Sequence, residues 1–313
     1  MRSPDQVNTR NSGNVTGVAP HGVAAFAGKF ISRLSREPVA AKVPEITALF
    51  WLIKLLTTAG GEATSDFLGN YNVVIGAAVE FGVFAVALWW QFRTRRYFAP
   101  AYWSLAFAIA ILGTGVSDTL HLVFGIPYAG TTALWAIVLG VVFWRWNRSE
   151  GTLSIHSVTT RRREGYYWAT VFATFALGTA VGDFSATALN LGYLASGITF
   201  GVVILVPLVA WRHGLNSVLA FWFAYVLTRP LGASFADYVS KPRDISGIDF
   251  GDGATAGVAI IAVAALVAYL TLARNDIQAS RAPLALEREG RAALEREGPA
   301  AAPEAVPALE PNA

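Results

Sequence analysis

Four times along this 313-residue chain a tryptophan is followed ten residues later by glycine and fifteen residues later by aspartate. The sets are Trp51/Gly61/Asp66, Trp103/Gly113/Asp118, Trp168/Gly178/Asp183 and Trp222/Gly232/Asp237. With 29 glycines in the chain and far fewer aspartates, an arbitrary tryptophan would carry both partners about once in several hundred cases. The pattern is therefore an internal fourfold repeat. Each copy lies in a long apolar stretch, and a carboxylate placed in lipid is costly enough that such residues usually mark an ion or substrate path.

The chain is 54% apolar and 14% charged, which places it among polytopic membrane proteins. Crossing a hydrocarbon core takes about 20 residues of helix, and windows of that length predict helices near 45–66, 71–92, 101–119, 127–146, 165–184, 189–211, 215–236 and 254–273. The expected fold is all-α: eight transmembrane helices as four tandem hairpins, over residues 43–97, 98–160, 161–214 and 215–274. Trp, Gly and Asp all sit on the first helix of each hairpin. An even number of spans per repeat makes those four helices parallel, so the expected pseudo-symmetry axis is the membrane normal.

Basic residues set the expected orientation. Of the 24 Lys and Arg, all but Lys54, Arg229, Lys241 and Arg243 fall in the two tails or in turns on one side, which the positive-inside rule makes cytoplasmic. The net charge of +3 is this topological bias and supports no nucleic-acid surface. Residues 1–42, polar and basic with no short apolar core, read as a disordered cytoplasmic tail without a cleavable signal. Residues 275–313 turn to Ala, Glu, Pro and Arg, and read as a second disordered tail. With no cysteine in the chain, disulfides and thiolate metal ligands are excluded.

A rise of 1.5 Å per residue puts each Asp about 22 Å along the helix from its Trp. A Trp near the cytoplasmic interface then leaves the Asp in the outer part of the hydrocarbon core. Steps of three and four residues line up Trp51, Thr58, Glu62 and Asp66 on one stripe, with Thr114 above Asp118, Thr179 above Asp183, and Arg229 two turns before Asp237. Counting Glu62, Glu80 and the four Asp against Lys54 and Arg229 leaves four uncompensated negative charges, which a cation or extra protons must offset. Each residue type also has a structural use. Trp anchors helices at the interface, Gly61, Gly113, Gly178 and Gly232 permit close packing or a hinge, and buried carboxyls lock helix pairs. Turn-like residues after each Asp suggest local unwinding, as in the discontinuous helices of transporters.

The segments Phe50-Trp51-x-x-Lys54, Thr57-Thr58-x-x-Gly61-Glu62-x-x-x-Asp66, Leu177-Gly178-Thr179-Ala180-x-x-Asp183 and Leu227-Thr228-Arg229-Pro230-Leu231-Gly232-Ala233-x-x-x-Asp237 resemble a bacterial family of membrane proteins built from a tandem repeat of unknown function. The resemblance covers about residues 43–273. It implies four copies of a two-helix unit with a shared Trp, and it brings no activity.

The chemistry of the residues therefore carries the functional expectation, which is a transporter of the inner membrane. Carboxylates of Asp66, Asp118, Asp183, Asp237 and Glu62, with hydroxyls of Thr58, Thr114 and Thr179 beside them, suit a hard or borderline divalent cation such as manganese as transported species. Buried carboxyls also suit proton exchange. Glu80, Lys54 and Arg229 complete the candidate pathway. Proton-coupled movement of a small organic solute needs the same acids. A non-transporting scaffold would use them only as helix locks. An intramembrane enzyme has least support, since no nucleophile elbow, His-Glu-x-x-His or paired-His motif is present. No bound cofactor is expected, and the expected partners are the bilayer and the transported species.

Overall fold

The computed structural model describes residues 40–277. The tails read as disordered thus lie outside the described residues, apart from the few that join the fold. Helices run α1 Ala48–Tyr71, α2 Val73–Arg93, α3 Ala99–Leu122, α4 Tyr128–Glu150, α5 Arg161–Asp183, α6 Gly192–Val203, α7 Leu205–Arg212, α8 Ser217–Ser240 and α9 Asp252–Ala273, and the described residues contain no strand. Helices α6 and α7 form one span, Gly192–Arg212, interrupted at Ile204. Among the described residues, seven spans are long and apolar enough to cross a membrane. The first helix, α1, is 24 residues long but carries Lys54, Glu62 and Asp66, charges that lower its mean hydropathy.

Helix starts follow from capping chemistry. The Thr47 hydroxyl accepts from Phe50 N, Asn72 Oδ1 from Val74 N and Ile75 N, the Thr160 hydroxyl from Arg163 N, and Asn216 Oδ1 from Val218 N. Helix α4 stops at Gly151, whose left-handed backbone (φ 68°) suits a residue without a side chain. The unwinding expected after each Asp is found only once. Helices α1, α3 and α8 run on for several residues past Asp66, Asp118 and Asp237. Only after Asp183 does the helix widen, into a π-helical turn over Phe184–Ala188. Asn72 explains the first case, because a single residue closes α1 through its N–H to Leu68 O and caps α2 with its side chain, leaving no stretch to unwind.

The two helices of each repeat play different parts. The first helices, α1, α3, α5 and α8, are more buried than the second helices, and each packs on the next, α8 returning to α1. The second helices turn large apolar side chains outward, among them Val74, Phe81, Val86, Ile137, Val206 and Ile261. Such a surface suits lipid and suggests a membrane protein.

At the Trp end of this inner ring the chain entering α1 is tied down. Tyr97 N donates to Ala41 O (3.2 Å), Lys42 N to Val158 O (3.1 Å) and Glu45 N to Asp276 O (2.8 Å). Lys42, counted from sequence with the tail, is 1% exposed. Its ammonium contacts Glu164 Oε1 at 2.5 Å and Gln91 O at 2.9 Å. Burial outweighs these partners and brings the Lys42 ammonium down to about 8.

Candidate functional site

The four inner helices stack the equivalent positions of the repeat into layers. At one end lies an aromatic ring. The residue before each Trp is itself aromatic, and it packs on the Trp of the following repeat: Phe50 on Trp103 (5.6 Å between ring centroids), Tyr102 on Trp168 (5.1 Å), Tyr167 on Trp222 (6.2 Å) and Phe221 on Trp51 (5.7 Å). Trp103, Trp168 and Trp222 are buried and Trp51 is half-buried. They are therefore a protein core and not the lipid-facing anchors expected from sequence. Membrane-interface Trp and core Trp share the same depth, and only helix rotation separates them. The Trp222 Nε1 hydrogen bond to Leu153 O (2.9 Å) fixes one of these rings.

The glycines form the next layer, and they act in packing. A Cβ on Gly61 would lie 2.3 Å from Ala110 Cβ, one on Gly113 2.9 Å from Phe175 Cβ, one on Gly178 2.2 Å from Arg229 Cγ, and one on Gly232 2.6 Å from Thr58 Cγ2. Each glycine thus receives the residue seven places after the Trp of a neighbouring repeat. At Gly178 that residue is Arg229.

The absent side chain at Gly178 lets the Arg229 stem lie against α5 and directs its guanidinium to the middle of the ring. Arg229 is fully buried. Its Nη2 donates to Glu62 Oε2, to Thr114 Oγ1 and, at 2.7 Å, to Thr179 Oγ1, while Nη1 reaches Thr58 O at 3.5 Å. The Thr114 hydroxyl lies 2.9 Å from the same Glu62 oxygen. The residues after the first three glycines, Glu62, Thr114 and Thr179, therefore meet on one cation supplied by the fourth repeat. Thr58 contributes its carbonyl, since its hydroxyl donates back to Lys54 O (2.8 Å).

Lys54 lies two turns before Glu62, between this network and the aromatic ring. It is 1% exposed, so it does not snorkel to the interface. Its ammonium sits 3.8 Å from the Phe175 ring centroid and 4.3 Å from that of Tyr225, with no hydrogen-bond partner among the described residues. Two aromatic faces replace part of its hydration.

The four aspartates form the far layer. Asp237 is buried, whereas Asp66, Asp118 and Asp183 are half-buried. Asp118 feels the charges of Asp183, Asp66 and Glu62, and Asp237 those of Glu62, Asp66 and Asp183. Oxygens of Glu62, Asp66 and Asp237 lie within 4.8 Å of one another, a span that one divalent cation can bridge with bonds of about 2.0–2.6 Å. Asp118 and Asp183 stand outside this trio. Lys241, one of the four basic residues outside the expected cytoplasmic set, also joins this layer. Its ammonium lies 2.6 Å from Asp66 Oδ2 and 3.3 Å from Asp252 Oδ1. Burial lowers its proton affinity, but Asp66 and then Asp237 outweigh burial and hold the ammonium charged beyond the usual lysine range. His121, next to this layer, accepts no such role: its Nδ1 pairs with Ile126 O (2.8 Å) and its ring stacks on Tyr128.

Glu80 does not join the ring. Its Oε1 accepts from the Ser65 hydroxyl at 2.7 Å, on the side of α1 that faces α2.

Four consecutive matches to a Repeat of Unknown Function (DUF347) cover residues 49–97, 101–152, 166–213 and 220–276. The chain belongs to this repeat family. Each match holds one Trp-Gly-Asp set and therefore one inner helix with the outer helix that follows it. Comparison with curated proteins and with solved structures gave no match.

Proposed function

We propose that this repeat protein is a transporter of the inner membrane, with both termini cytoplasmic, that moves a cation through the acidic layer in exchange for protons. One observation carries the reading: Glu62, Asp66 and Asp237, from the first and last repeats, bring their oxygens together directly above a buried Arg229. Glu62 and the four Asp outnumber Arg229, Lys54 and Lys241 by two negative charges, if all are ionised. A mobile cation or protons must balance that surplus. All-oxygen donors favour a divalent cation such as manganese. The exposure gradient supports access from one side, since the Asp layer is partly open while the Arg229 network and most of the aromatic ring are closed. The closed circuit of glycine and aromatic contacts supports pseudo-symmetry about the membrane normal, so alternating access would come from repeats rocking about that axis.

The test is whole-cell manganese, magnesium and zinc content with and without the protein, alongside Glu62→Gln and Asp237→Asn. These isosteres keep hydrogen bonding and remove ionisation. The expected result is a change in one metal that both variants abolish while inserting normally. An unchanged content and tolerance for every metal would move the assignment to an organic solute. Full activity in both variants would reduce the acids to helix locks.

A further inference from the structure

Apart from Glu150 at the last residue of α4 and Asp252 at the first residue of α9, Glu80 is the one Asp or Glu in the outer helices. It is therefore not a member of the fourfold set, and its position asks for a separate explanation. Glu80 is 5% exposed as a residue, and its carboxyl enters the protein between α1 and α3. Ser65 holds Oε1, and Gly115 of α3 makes room for Oε2, because a Cβ there would lie 2.0 Å from that oxygen. A side chain at 115 would force the carboxyl to shift. Glu80 also lines a cavity of about 360 Å³ between α1, α2, α3 and α9. Its walls are apolar, with Phe67, Val83, Ile111 and Ile260 among them, and three of these four are largely exposed on the outer surface. On α9, Gly253 and Gly257 keep one wall low, and a Cβ on Gly257 would meet nothing within 4 Å.

The crevice thus joins a lipid-facing apolar volume in the size range of small-molecule pockets to one seated carboxyl. A bare acyl chain would fill the volume and leave Glu80 Oε2 with no donor among the described residues, since the Ser65 hydroxyl serves Oε1 alone, which is costly in lipid. An ammonium on an apolar body satisfies both. We propose that this crevice is a second binding site, separate from the acidic ring, for a membrane-dissolved amphiphilic amine whose protonated nitrogen pairs with Glu80. The site does not depend on the transport reading, because binding is measured without flux.

The experiment uses the full chain in phosphatidylcholine nanodiscs. A fluorescent hydrophobic carbodiimide adds to a protonated carboxyl and rearranges to an N-acylurea with no leaving group, so the modified residue is read by peptide mass spectrometry. Labelling at Glu80 is expected, slowed at least fivefold by N,N-dimethyldodecylamine at a concentration where n-dodecanol slows it less than twofold. Equilibrium binding of the amine is expected to fall at least fivefold in Glu80→Gln. It should fall by a similar factor in Gly257→Phe, which fills the crevice from α9 and leaves Glu80 intact, so a folding defect in the first variant does not remove the test. Equal protection by amine and alcohol would make the crevice a lipid contact and overturn the proposal. Absence of label at Glu80, or unchanged amine binding in both variants, would overturn it as well.

Discussion

Substituting alanine for Gly178 should damage this protein more than the same change at any glycine facing open space. The new Cβ would fall 2.2 Å from Arg229 Cγ, 2.4 Å from Arg229 Cβ and 3.0 Å from Pro230 Cδ. Carbon atoms rest at about 3.5–4.0 Å, so more than an ångström must be recovered. The nearest atoms belong to the root of the Arg229 side chain, and its far end is pinned by Glu62, Thr114 and Thr179. Helix α8 must therefore move away from α5. Overpacking of this kind costs about 1–3 kcal/mol. If the shift also breaks the buried Arg229–Glu62 pair, a further ~3–5 kcal/mol is lost. Gly140→Ala is the control, since its Cβ would meet nothing within 4 Å and alanine should favour the helix by up to about 1 kcal/mol. Unfolding in mixed micelles by a denaturing detergent, followed by tryptophan fluorescence, measures both. Loss of at least ~2 kcal/mol is expected for Gly178→Ala, against no loss for Gly140→Ala. Equal stability of the two variants would refute the close approach of α5 and α8, and with it the placement of Arg229.

Two further outcomes follow from the Trp end of the ring. Lys42 has a folded value of about 8 against an ordinary 10.5, so the folded state binds fewer protons than the unfolded state between those values. Stability contributed by this group therefore rises with pH through that window, by an amount on the order of 3 kcal/mol. The wild-type minus Lys42→Met difference in unfolding free energy, measured from pH 7.5 to 10.5, should slope upward, and a flat difference would show that Lys42 is not buried as described. Trp222→Phe removes the Nε1 donor to Leu153 O but keeps an aromatic ring against Tyr167, so it should cost about 1–2 kcal/mol. A neutral result in the same unfolding assay would discount that hydrogen bond.

Periodicity alone located the hairpins, because 20-residue apolar runs and their separating turns are a local property of the chain. The Trp-Gly-Asp spacing likewise marked the four inner helices, and the residues after the first three glycines proved to be the ones that meet Arg229. What spacing could not supply was rotation and neighbour. Trp103, Trp168 and Trp222 would sit at the same depth whether turned to lipid or to one another, and only packing turns them inward. The aromatic residue before each Trp was a visible signal of that ring, legible once the four copies are aligned. Lys241 carried no such signal. It stands in a single loop, and only the return of that loop over α1 brings its ammonium to Asp66. Sequence set Glu80 apart from the repeated acids but not what its carboxyl faces, because side-chain charge is local while the space it faces is made by four helices at once. The sequence determined which segments form the long apolar helices and that each repeat brings an acid. Tertiary structure decided which acids share a site, because distances between helices depend on packing that no single helix encodes.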